Sequence, residues 1–160
     1  AARRSSTPDD GGGMSVDERE VSELTLDECW QVLATQHLGR LALSYGDGVE
    51  IFPVNYLAHE RTIMLASAPG TKLMALSANH AVAFEIDGHE HATLGDPGSF
   101  WSVIVHGEAV RLAADSDIVA SGVLELPTWA PGEKLNYVQI TPRTVTGRSF
   151  LPPKKRANRH

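Results

Sequence analysis

The stretch IMLASAPGTKLMALSANHAVAFEID, residues 63–87, decides how this chain folds. Ile63, Leu65 and Ser67 alternate with Met64 and Ala66 as in a half-buried strand. Pro69 and Gly70 break it, Thr71 to Ser77 fit about two turns of helix, and alternation resumes in AVAFEID. A helix that starts directly after a tight turn leaves its first backbone N–H groups free. With the Thr71 hydroxyl and the Lys72 ammonium beside them, those groups form a site for an anion such as a phosphate. The competing reading is a plain turn carrying a solvated lysine. The stretch is not a P-loop, because Thr71 follows Gly70 and Leu65 stands where that motif needs its earlier glycine.

Outward from this junction the period-two pattern recurs. GRLALSY begins at Gly39, Gly46-Asp47-Gly48 forms a hairpin turn into VEIFPVNYLA, and His59 to Arg61 turn into TIMLAS. Beyond AVAFEID come a polar loop from Gly88 to Ser99, a long strand Phe100 to Leu112, and a last strand region from Leu135 to Phe150. A helix before the first strand shows a Thr25–Glu28 capping box and an apolar set of Leu26, Cys29, Trp30 and Leu33, with Val32 beside it. A second helix is expected over Asp115 to Leu126, capped by Ser116, with Ile118, Val119, Val123, Leu124 and Leu126 as its apolar face. The sum is a mainly β fold with short helices. Six antiparallel strands with tight turns and no long crossover helix favour a closed or partly closed barrel, since closure removes exposed edges.

Composition sets the outer limits. With 160 residues and 42% hydrophobic content the chain is one domain with an ordinary core. Residues 1–22, rich in Gly, Ser and charge, are expected to be a disordered N-terminal tail, 23–150 the folded domain, and 151–160 a basic C-terminal tail. No apolar run approaches the roughly 18 residues that span a bilayer, and the first twenty residues lack a signal-peptide core, so a cytoplasmic location is expected. Residues 21–150 hold seven of the 14 Lys and Arg but 15 of the 20 Asp and Glu, leaving the domain eight charges negative. Such a balance argues against nucleic acid as a partner. The lone Cys29 has no disulfide partner and reads as a buried, inert thiol.

Six motifs stand in one order: LGRLAL at 38–43, FPVNY at 52–56, SAPGTKL at 67–73, VAFEID at 82–87, WSVIVHGEA at 101–109 and ITPRTVTGRSF at 140–150. In this set the chain resembles the flavin-binding split-barrel family, the pyridoxamine 5′-phosphate oxidase-like proteins. The resemblance implies a six-stranded antiparallel split barrel and a homodimer with FMN in a cleft between subunits. It places Pro53, Val54, Asn55 and Tyr56 on the strand beside the flavin ring. Ser67, Gly70, Thr71 and Lys72 match the phosphate-binding turn, and Trp101 and Ser102 match residues entering the cleft from the next strand. Pro53 suits a strand edge because it donates no ladder hydrogen bond, and Asn55 offers both donor and acceptor to a polar ring edge.

Two departures accompany the resemblance. Relatives commonly carry an arginine where this chain has Ala66, and losing that contact is worth roughly 1.5–3 kcal/mol; Arg148 is the candidate substitute. The chain also lacks the C-terminal arginine and histidine pattern of true pyridoxamine-phosphate oxidases. The resemblance therefore implies an FMN-dependent oxidoreductase acting on some other small planar substrate, with His106 as a candidate proton donor. A deazaflavin-dependent relative and a non-catalytic flavin- or haem-binding protein are the alternatives. No metal site is expected: His89 and His91 lie in a polar loop without a spaced third ligand.

Overall fold

The computed structural model describes residues 20–67, 70, 76, 79–90, 98–126 and 136–151. Seven strands and two helices make up this part: β1 (Glu20–Leu24), α1 (Leu26–Thr35), β2 (Leu38–Tyr45), β3 (Gly48–His59), β4 (Thr62–Ser67), β5 (Ala81–Glu90), β6 (Ser99–Arg111), α2 (Asp115–Ala120) and β7 (Asn136–Leu151). The six expected strands are present, and β1 is an addition that reaches into the segment expected to be disordered. Its sequence EVSEL is too short and too charged to announce a strand. Pairing along β7 from Gly147 to Leu151 supplies the order.

All neighbours are antiparallel, in the order β1-β7-β4-β3-β2-β5-β6, and β6 returns to β7 to close a six-stranded ring. Two strands change partners partway. Along one edge β3 follows β2 as far as Asn55, and along the other it meets β4 only from Tyr56 onward. One edge of β7 runs beside β6, while the other serves β4 up to Ile140 and β1 from Gly147. Among the described residues, the edge of β3 before Tyr56 and the edge of β7 between 141 and 146 are open, and these gaps are the splits in the barrel. The β3–β4 hairpin turns on Glu60 and Arg61, both at positive φ (46° and 59°), the twist that a two-residue hairpin requires.

Alternation decides what lies inside. Leu41, Leu43, Val54, Tyr56, Ile63, Leu65, Phe84, Ile86, Val103, Val105, Val138 and Ile140 fill the barrel. The helix α1 packs over its opening with Cys29 and Leu33 fully buried. Its start has the expected capping box: the Glu28 N–H donates to Thr25 Oγ1 at 3.2 Å and the Thr25 N–H donates to Glu28 Oε2 at 2.7 Å. Leu26, expected on the apolar face, is instead exposed in the first turn. Gly147 lies beneath α1, and a Cβ there would sit 2.6 Å from Cys29 Sγ. Burial and the neighbouring Glu28 push the Cys29 thiol up, in keeping with an inert thiol.

The second helix is shorter than expected. It ends at Ala120, and a separate 3-10 turn, Val123–Glu125, follows. Ser116 does not cap it; Ala114 occupies that position without a side-chain bond, and Asp115 and Asp117 complement the first turn. Ile118, Val123 and Leu126 cover Met64 on the outer face of the sheet, whereas Val119 and Leu124 face outward.

Candidate functional site

On β3, side-chain alternation divides the four residues expected beside a flavin. Pro53 is exposed and Asn55 half-buried, while Val54 and Tyr56 point into the barrel. The Tyr56 hydroxyl donates to the Leu33 carbonyl at 2.7 Å and its ring meets the edge of Phe84 with centroids 4.9 Å apart. Burial pushes its phenol far up. Its side chain is therefore a tether between α1 and the barrel, and only the backbone of Tyr56 lies at the strand edge. What β3 offers outward is Pro53, Asn55 and the open backbone edge.

That edge opens where β4 departs. Ser67 ends β4 opposite Asn136 and is 7% exposed, and Gly70 beyond it is exposed. Thr71 and Lys72 lie outside the described residues. Ala66 packs against the Met64–Val123–Leu126 cluster. Arg148, the candidate substitute for the absent arginine, is on the same strand as the partner of Ala66 but far along it. It lies eleven residues along β7 from Tyr137, the partner of Ala66, a path of roughly 36 Å at about 3.3 Å per residue.

Trp101 and Ser102 are adjacent on β6 and so face opposite sides. The indole packs against the core and lies across Gly88, where a Cβ would collide with it. Ser102 faces outward between Asp87 of β5 and Arg148 of β7, and Glu23 of β1 is the next residue in that row. Ser102, Ile104, Thr146, Arg148, Phe150 and Glu23 line an open cavity of about 500 Å³. His106 is exposed on the same face, opposite Ala83 and Thr144, and is not part of that cavity. A smaller hollow of about 280 Å³ lies beside α2, between His59, Asp117 and Gln139. Among the described residues no group of three His, Cys, Asp or Glu is placed to hold a metal.

Thus Ser102 and Arg148 come together, and Pro53 and Asn55 come together, but one chain does not join the two pairs. β2 and β5 lie between β3 and β6, three steps of about 4.8 Å across the sheet. On β2, Arg40 is opposite Pro53 and donates to Glu85 at 2.9 Å and Asp87 at 2.8 Å. Partial burial pushes the Glu85 carboxyl up against the pull of Arg40. Sequence reading missed Arg40, Glu23, Thr146 and Phe150. The period-two spacing of Thr146, Arg148 and Phe150 was the available signal for two of them.

The chain has several recognisable relatives. The pyridoxamine 5′-phosphate oxidase family matches residues 25–149. An uncharacterised protein of Mycobacterium tuberculosis is 31% identical over 134 residues, 81% of this chain and 85% of its own length. A pyridoxamine 5′-phosphate oxidase-like crystal structure from Corynebacterium glutamicum superposes with a TM-score of 0.69 at 32% identity, covering 82% of this chain and 94% of that one. An FAD-binding protein from Mycobacterium smegmatis does so with a TM-score of 0.66 at 34% identity, covering 81% and 99%. With the split barrel in place and the match running from the cap of α1 to Ser149 of β7, the chain belongs to the pyridoxamine 5′-phosphate oxidase-like family of flavin-binding split-barrel proteins.

Proposed function

We propose that this protein is a flavin-dependent oxidoreductase that acts on a small planar substrate and works as a homodimer with the flavin held between subunits. The observation that carries this reading is the edge of β3 before Tyr56, which no described strand pairs, next to the end of β4 at Ser67, in a chain of this family. The donor set fits a flavin: the β3 edge, which no described strand pairs before Tyr56, and the Asn55 amide suit its pyrimidine edge, and Pro53 leaves that edge without a competing N–H. Thr71 and Lys72 would hold the phosphate. When bound, the flavin supplies the electron-transfer chemistry. The chain's part is to orient it, exclude water and leave one ring face open to a second molecule. FMN is the leading choice. FAD is a second form to test because a 34% identical relative is described as binding it.

The separation of Pro53 and Asn55 from Ser102 and Arg148 within one chain supports a cleft shared by two subunits. The visible spectrum of the purified protein, followed by titration with FMN, FAD and a deazaflavin, tests cofactor choice directly. Lys72→Ala is expected to weaken flavin binding by about tenfold or more, as for loss of one charge-assisted contact. An unchanged dissociation constant would remove Lys72 from the phosphate site. In stopped-flow mixing, reduced flavin-loaded protein is expected to pass electrons to a quinone or nitroaromatic acceptor faster than free reduced flavin does. No acceleration across a broad acceptor panel would make this a flavin-binding protein without turnover.

A further inference from the structure

Arg148 is exposed on β7, and among the described residues it has no ion pair or hydrogen bond, although Glu23 and Ser102 flank it on the adjacent strands. Arg40, Arg61 and Arg143 are by contrast held by carboxylates at 2.8, 2.6 and 2.7 Å. The cavity around Arg148 adds the hydroxyls of Ser102 and Thr146, with Ile104 and Phe150 as apolar walls. Phe150 is opposite Phe100, and Phe100 stacks on His89 with ring centroids 4.0 Å apart at 20°, so one side of the cavity continues into a row of rings. Its volume of about 500 Å³ lies in the range of small-molecule sites.

We propose that this cavity binds a planar aromatic monocarboxylate, with Arg148 gripping the carboxylate, Ser102 and Thr146 donating to it, and the ring lying against Phe150. The fork of a guanidinium matches a carboxylate through two parallel hydrogen bonds. Glu23 in the same cavity opposes a dianion, which sets a monocarboxylate apart from a phosphate. That the bound acid is the substrate of the flavoenzyme rests on the function proposed above; the binding site itself does not.

Calorimetric titration of the full-length protein with benzoate tests this, with benzamide, cyclohexanecarboxylate and inorganic phosphate as comparators. Benzoate is expected to bind, Arg148→Gln to weaken it by about tenfold or more, and Glu23→Gln to tighten it. Ile104→Trp, which fills the cavity, is expected to abolish binding. Benzamide and phosphate are expected not to compete, and cyclohexanecarboxylate to bind more weakly because it cannot stack. No benzoate binding up to about 10 mM overturns the proposal. So does equal affinity in the Arg148→Gln protein, or displacement of benzoate by FMN with loss of both in that variant, which would give the cavity to the flavin. Benzoate binding in a protein that takes up no flavin would leave this site standing and sink the flavoenzyme reading alone.

Discussion

Tyr56 is the clearest case of one residue with a structural task inside a functional motif. Its hydroxyl satisfies the Leu33 carbonyl in a dry core, so Tyr56→Phe is expected to cost about 1–3 kcal/mol in urea unfolding by leaving that acceptor unpaired. Burial also raises its phenol above the ordinary value near 10, which means the fold favours the neutral form. That contribution is complete below pH 10 and is lost as pH rises toward the raised value. Wild-type stability should therefore fall more steeply above pH 10 than that of Tyr56→Phe. Parallel slopes would show that the phenol is not protected. Period two puts the side chains of Val54 and Tyr56 on the inner face, and Pro53 and Asn55 on the outer one.

At the scale of elements, α1 and its seat on β7 decide whether the barrel is sealed. Gly147 is the contact point, since any side chain there meets Cys29 and Leu24. Gly147→Ala is expected to destabilise the protein by about 1–3 kcal/mol through overpacking. Adding Cys29→Ala should recover part of that loss; equal stability of wild type and Gly147→Ala would mean that α1 is not seated as described. Thr25→Ala, which removes one half of the capping box, should cost about 1 kcal/mol. The capping box was legible because its pattern is local. β1 was not legible, because a five-residue charged segment gains its order from the strand it joins and from nothing within itself.

For the whole molecule, the expected outcome in sedimentation is a dimer at micromolar concentration that binds one flavin per chain. A flavin-loaded monomer would contradict the shared cleft. The outer face of the sheet carries exposed Val49 and Ile51 beside the small Ala42 and Ala83, a surface that a second subunit can cover. Arg148 belongs to this scale too. It lies opposite Glu23 of β1 and Ser102 of β6 and lines the cavity beside β1.

By itself the sequence determined the strands β2 to β7, the hairpins, the cap of α1 and the family, because each rests on alternation, turn chemistry or motif order within a few residues. Only the tertiary structure decided which site residues meet. Strand exchange at Tyr56 and along β7, the closure of β6 on β7, and the pairing of β1 all depend on contacts between segments far apart in the chain. Such contacts brought Ser102 to Arg148 and Glu23, gave the Tyr56 hydroxyl the Leu33 carbonyl as its partner, and set Pro53 and Asn55 on a strand that does not pair with β7. The physical reason is that a strand's own residues set which side chains share a face, while its partners set which faces share a site.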